Sequence, residues 1–199
     1  MKNLFFILII LFSCKSFAQN PILSDSIKKA GIYRTFQEFK NNNPSLILDF
    51  KIDKQDRTLG MYDKNSKTYP AYGIDIDERV SENVGVIYGF CDGKDIYLTR
   101  NMPIFMHYID FFKVEILDRY CIFDYTSVNL SGGSGNGLFN KVLNNYTRIL
   151  NLDSGQSHDL TKKWVRKIIQ DNMTLSKEFE ADKDKMISLK EYIIQYLKK

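Results

Sequence analysis

The 199-residue chain has only two histidines and three cysteines, which leaves little material for a metal centre. Such a site needs several imidazoles, thiolates or carboxylates converging, and neither His107 nor His158 has a second histidine or a cysteine at ligand spacing. His107 is followed three residues on by Asp110, but the local pattern is that of a strand, which sends those two side chains to opposite faces. Asp182-Lys183-Asp184 begins like a calcium loop and then fails, because Met186 and Ile187 stand where the third ligand and the turn glycine belong. The histidines read as structural or surface residues, and no motif implies a cofactor.

Signatures of catalysis are absent as well. There is no G-x-S-x-G elbow and no recognisable pairing of a cysteine with a histidine, so only the fold could bring His158 to a serine. Carboxylate pairs for sugar hydrolysis can be drawn from Asp75, Asp77 and Glu78, or from Asp49 and Asp53. Their spacing is also that of a solvated strand face. The stretch Ser131-Gly132-Gly133-Ser134-Gly135-Asn136-Gly137 lacks the Lys and Ser/Thr that complete a phosphate cradle, since Leu138-Phe139 follow, and its glycine spacing does not fit a dinucleotide fingerprint. It reads as a flexible loop.

No apolar run approaches the roughly 20 residues needed to cross a bilayer. The longest, Leu4 to Phe12 behind Lys2, ends in the small-residue stretch Ser13 to Ala18, the pattern of a secretory signal peptide. Ser16 and Ala18 stand three and one residues before a cut ahead of Gln19. The rival is lipoprotein processing at Leu11-Phe12-Ser13-Cys14, which would leave Cys14 acylated and hold the protein on a membrane. Removing residues 1–18 takes away Lys2 and Lys15 and lowers the net charge from +4 to +2. With cations and acids interleaved along the chain, nothing resembles the concentrated basic face of a nucleic-acid binder. Cys91 and Cys121 remain after cleavage at Ala18, in a compartment that permits a disulfide between them. The other reading is two small buried hydrophobes on separate strands.

The remainder is a globular composition, 44% hydrophobic with 14 Phe and 12 Tyr. Asp25-Ser26-Ile27, in the polar lead-in, resembles a short O-glycosylation motif of bacterial envelope proteins. Thr35 to Lys40 carries a capping-box pattern and predicts a short helix anchored by Phe36 and Phe39 and stopped before Pro44. Two-residue alternation then predicts strands at 46–52, 72–76, 84–90 and 95–100, with Asp92-Gly93 as a tight hairpin turn. The apolar stretch 104–117 supplies one strand or two, and 120–126 another. A further hairpin is expected from 138–143 and 146–152 around Asn144-Asn145. Seven tyrosines, Tyr69, Tyr72, Tyr88, Tyr97, Tyr108, Tyr120 and Tyr125, fit either an aromatic binding surface or ordinary sheet packing. The period becomes helical at Trp164, Val165, Ile168 and Ile169, with Asp159 or Thr161 as cap, and again from Thr174 to the end, where only Asp182 breaks the apolar seam.

The run Gly31-Ile32-Tyr33-Arg34-Thr35-Phe36-Gln37-Glu38-Phe39 with Pro44 behind it resembles an opening recurrent in small secreted proteins of Bacteroidetes, a family with no assigned function. Gly89-Phe90-Cys91-Asp92-Gly93-Lys94 with Ile96-Tyr97 is similar to that family's central hairpin. Leu152-Asp153-Ser154-Gly155 followed by Leu160-Thr161 is similar to its entry into the C-terminal helices. The resemblance implies an exported or envelope location and carries over no catalytic residue.

The sequence thus predicts a signal peptide over 1–18 and a single α+β domain over 19–199, β-rich from 46 to 153 and helical from 159 to 199. Its architecture is a meandering antiparallel sheet, open to curling toward a barrel, with a short N-terminal helix and two C-terminal helices. The expected role is a non-enzymatic binding or accessory module of the cell envelope, periplasmic or secreted, engaging a protein, glycan or apolar ligand through a concave sheet face or the loop at 131–137. The alternatives are a hydrolase of envelope polymers and an oligomer assembled through the C-terminal seam.

Overall fold

Strict alternation of side chains decides how this chain layers. A computed structural model describes residue 22 and residues 27–58, 68–77, 84–99, 110–131, 140–183 and 185–198. Among the described residues nine strands, β1 (Gly31–Tyr33), β2 (Lys51–Thr58), β3 (Thr68–Asp75), β4 (Gly89–Cys91), β5 (Ile96–Thr99), β6 (Phe111–Leu117), β7 (Tyr120–Ser131), β8 (Asn140–Asn151) and β9 (Ser157–Asp159), form one antiparallel sheet. The order is β1-β4-β5-β6-β7-β8-β9, and the β2-β3 hairpin branches off β6 where Tyr72 pairs with Phe111. The first and last strands of that order do not pair, so the sheet is not closed. The helices among the described residues are α1 (Phe36–Lys40), α2 (Lys162–Ile169), α3 (Met173–Ala181) and α4 (Lys185–Leu197).

On one face Tyr33, Cys91, Ile96, Leu98, Phe112, Val114, Ile116, Cys121, Phe123, Tyr125 and Leu150 form a continuous core with Ile22 and with Phe36 and Phe39 of α1. The intervening residues point the other way and are divided. Ile32, Phe90, Tyr97 and Phe111 are covered by the β2-β3 hairpin and the segment before it. Leu117, Tyr120, Ile122 and Ile149 are covered by α2, α3 and α4. A two-residue period therefore makes three cores, because successive side chains leave opposite faces of a strand.

The Thr35 cap forms as its chemistry requires: its Oγ1 accepts from Glu38 N at 3.2 Å, while Glu38 reaches back to Arg34 N at 2.7 Å. Thr161 stands at the start of α2, but its side chain makes no capping bond. Asp92-Gly93 turns β4 into β5, with Asp92 Oδ1 accepting from the amides of Lys94 and Asp95.

Four expectations are corrected. The strand expected at 84–90 is confined to Gly89–Cys91, and Gly85, at a φ of +68°, takes the chain out of the extended region before it. Asn144-Asn145 is not a turn: β8 runs unbroken, Asn144 pairs with Ser127 and Asn145 with Thr126. Twelve paired residues on each strand outweigh the turn propensity of two asparagines, and Thr126 Oγ1 donates to Asn145 Oδ1 at 2.9 Å. The first expected strand starts later, at Lys51, and Leu46 makes only an isolated bridge to Ile32. The seam after Thr174 is divided into α3 and α4 at Asp182, whose ψ of 124° is extended. Aspartate is a poor helix former, and there its carboxylate accepts from the Tyr192 hydroxyl at 3.1 Å.

Cys91 and Cys121 are both buried free thiols. They stand on β4 and β7, with β5 and β6 between them, so three strand spacings, about 14 Å, separate them across the sheet. A disulfide needs Cα atoms within about 7 Å.

Burial pushes up the pKa of Tyr33, Tyr88, Cys91 and Cys121, and that of Tyr97 to about 12. Each is a neutral acid that the folded chain keeps protonated, so folding stability is fully present below the ordinary values of 9.0 for thiols and 10.0 for phenols. Above them the unfolded chain sheds protons that the folded chain retains, and stability falls with rising pH. Denaturant unfolding is expected to show a plateau below pH 9 and a steady loss of midpoint above it. A midpoint unchanged up to pH 11 would contradict the burial of these groups.

Candidate functional site

Two structural devices create a cavity of about 330 Å³ at the junction of the sheet and the C-terminal helices. The first is the turn between β8 and β9. Asn151 Oδ1 accepts from the backbone N–H of Asp153 at 2.8 Å and of Ser154 at 2.9 Å, and Gly155 N donates to Asn151 O at 2.8 Å. Gly155 has a φ of +72°, and a Cβ there would lie 2.8 Å from the Phe36 ring, so only glycine fits both the left-handed backbone and the approach of α1. This folded turn presents Asn151, Ser154 and Gln156 to the cavity.

The second device is the tight connection between α2 and α3. Asn172 caps α3 through Leu175 N at 3.2 Å, and Ser176 Oγ donates to Ile169 O at 3.0 Å. Gln170 and Asp171 are thereby held at the rim. Tyr196 of α4 donates its hydroxyl to Asp171 Oδ2 at 3.0 Å, and burial together with this bond pushes the phenol's pKa up.

The walls are aromatic and aliphatic. His158 on β9 stacks on Trp164 of α2 with ring centroids 3.7 Å apart and planes 17° from parallel. Lys167 Nζ stands 4.8 Å from the centroid of the same indole, a cation–π contact. Ile149 and Ile168 complete the apolar part. His158 Nε2 is fully buried and finds no hydrogen-bond partner among the described residues.

The residues singled out from the sequence are distributed unevenly. His158 is in the cavity and shares it with Ser154 and Asp171. Asp53 and Asp75 lie on the β2-β3 hairpin, which meets the sheet at β6, three strands from β9. Asp49 precedes that hairpin and Asp77 follows it, so the fold does not bring these acids to His158. The described tyrosine side chains do not form one surface: Tyr72 of the hairpin packs on Tyr97 beneath it, Tyr88 and Tyr125 lie on the opposite face, and Tyr120 beside the cavity. Cys14, Ala18, Gln19, Glu78, His107, Tyr108 and residues 132–139 lie outside the described residues, as do the side chains of Tyr69 and Ser131.

A second polar cluster marks the other face of the same strands. Arg148 contacts Asp159 Oδ1 at 3.3 Å and Ser157 Oγ at 2.6 Å, and Tyr125 OH donates to the same Asp159 oxygen at 2.8 Å. Its members satisfy one another across β7, β8 and β9 and lock that sheet edge.

A family model matches residues 31–199, from β1 to the end of the chain. The chain belongs to DUF6563, a family of unknown function. The match takes in the sheet, the β8-β9 turn and all three C-terminal helices, so the cavity lies wholly within the part of the chain that defines the family. No curated protein and no solved structure matched the chain. No described helix is long and apolar enough to cross a membrane.

The sequence reading missed most of this site. Trp164 belongs to one apolar stripe of the sequence and Tyr196 to the C-terminal seam, while Asn151, Gln156, Gln170 and Asp171 carry no motif. The available signals were a single tryptophan on a helix otherwise rich in lysine and the Leu152 to Gly155 turn.

Proposed function

We propose that this protein is an exported, non-enzymatic binding module of the cell envelope, and that the cavity between β7–β9 and helices α2 and α4 holds its ligand. The observation that carries this reading is the convergence of the chain's one tryptophan, a stacked histidine and several amide and hydroxyl side chains on one concave space. Pockets of this kind, apolar in part with a few placed polar groups, are where small ligands bind. Export is supported by the leader over 1–18, with cleavage ahead of Gln19 or lipidation at Cys14 as its two outcomes. The Bacteroidetes resemblance fits the same location.

A hydrolase is the second reading, because Ser154, His158 and Asp171 line the same cavity. Against it, catalysis of that type needs a nucleophile bonded to its base and a base bonded to its orienting group. His158 Nε2 bonds neither, Ser154 Oγ accepts from Gln156 N at 3.3 Å, and Asp171 is engaged by Tyr196.

Native mass spectrometry of the mature protein, mixed with the small-molecule fraction of an envelope extract, tests the proposal. The wild type is expected to carry one added small mass, and Ser154→Trp, which fills the cavity, to carry none. Failure to retain any molecule contradicts the binding reading. Consumption of an envelope polymer that is lost in His158→Ala would establish the hydrolase instead.

A further inference from the structure

The lining of the cavity narrows the ligand's chemistry. Its polar groups are mostly neutral: amides at Asn151, Gln156 and Gln170, hydroxyls at Ser154 and Tyr120, and the Tyr196 oxygen, whose hydrogen is committed to Asp171 and which is left to accept. Amides and hydroxyls each donate and accept, and a ligand hydroxyl does the same, so every ligand hydroxyl can be matched without a fixed pattern of charge. Asn151 has its Oδ1 committed to the turn amides, which makes its side-chain NH₂ the donor it offers.

Charge argues against an ionic ligand. The cavity has one lysine and one aspartate, and both are already engaged, Lys167 over the Trp164 ring and Asp171 with the Tyr196 hydroxyl. A phosphate or carboxylate would compete with the indole for Lys167 and would meet Asp171. An alkyl chain fares worse in another way, because it would cover the amides without satisfying them, at about 1–3 kcal/mol for each group left unpaired. The apolar part is small, because the Trp164 ring is already covered by His158 and Lys167 and adds only its edge to Ile149 and Ile168. A volume of about 330 Å³ is at the low end for ligand pockets, enough for a short ligand and too little for a long chain.

We infer that the cavity takes a neutral, hydroxyl-rich ligand of one or two sugar rings, an assignment that rests on the binding reading above.

Trp164 is the only tryptophan and forms the wall, so its fluorescence reports occupancy directly. The mature protein is titrated with glucose, N-acetylglucosamine, their β-linked disaccharides, mannose and galactose, and separately with decanoate and with inorganic phosphate. At least one saccharide is expected to give a saturable change. Its affinity should fall at least tenfold in Gln170→Leu, which keeps side-chain bulk but removes both hydrogen-bonding groups, and the response should vanish in Ser154→Trp. Thermal melts confirm that each variant is folded, and Gln170→Leu carries the test if Ser154→Trp is not.

No saturable response to any saccharide overturns the assignment, as does saturation by decanoate or phosphate alone, or saccharide binding indifferent to Gln170→Leu. If the extract experiment still yields a bound molecule, only the sugar assignment has failed. If it yields none, the binding reading has failed with it.

Discussion

Gly89→Ala is expected to cost about 3 kcal/mol, at the upper end of overpacking penalties, and to lower the melting temperature by about 10 °C for a chain of this size. Gly89 pairs with Leu98 across β4 and β5, where the strands approach so closely that an added Cβ would stand 2.5 Å from Tyr97 O and 2.4 Å from Leu98 Cδ2. The leucine tip can rotate away, but the carbonyl is backbone and moves only if the strands part. That motion would open the ladder holding Phe90 and Cys91 in two different cores. Gly73→Ala is the matched control. Its Cβ would meet only Asp53 O at 3.9 Å, ordinary contact distance, so a change within about 0.5 kcal/mol is expected. Equal melting temperatures for the two variants would refute the β4-β5 register.

Phe179→Ala should be the most damaging truncation in the helical layer, at about 3–5 kcal/mol. The ring is fully buried, stands edge-on to Tyr192 with centroids 4.9 Å apart, and lies 5.9 Å from the Arg166 guanidinium. Arg166 is itself clasped by Glu180, with Nε to Oε1 at 2.5 Å and Nη2 to Oε2 at 3.1 Å. The ring therefore joins α2, α3 and α4, and the space it vacates cannot close without moving all three. Because α2 and α4 wall the cavity, Trp164 emission should change together with stability. Met173→Ala, at a site 76% exposed on the same helix, is expected to change stability by less than about 0.5 kcal/mol. A loss below about 1 kcal/mol in Phe179→Ala, measured by denaturant unfolding, would mean that the helices do not pack on one another as described.

The architecture was legible because alternation is a local signal. The strands over 72–75 and 111–117, inside the expected 72–76 and 104–117, the Asp92-Gly93 turn and the Thr35 cap each follow from a few neighbouring residues. What was not legible depended on partners distant in sequence. Asn144-Asn145 looks like a turn until β7 is laid beside it, and Asp182, where the seam breaks, is bonded by Tyr192 from the next helix. The cavity is the extreme case, since Tyr120, Asn151, His158, Trp164, Asp171 and Tyr196 come from five elements and their connections. His158 and Tyr120 stand out by residue type, and the β8-β9 turn and the tryptophan leave a trace in the sequence, but none specifies chemistry without the others.

The most direct measurement is a nuclear magnetic resonance titration of the mature, isotope-labelled protein with the small-molecule fraction of an envelope extract, following the one indole N–H signal, that of Trp164. The account predicts that this signal moves and saturates together with the amides of Ser154, Gln156 and Gln170. Shifts confined to the opposite face of the sheet, around Tyr125 and Tyr146, with the indole unmoved, would contradict it.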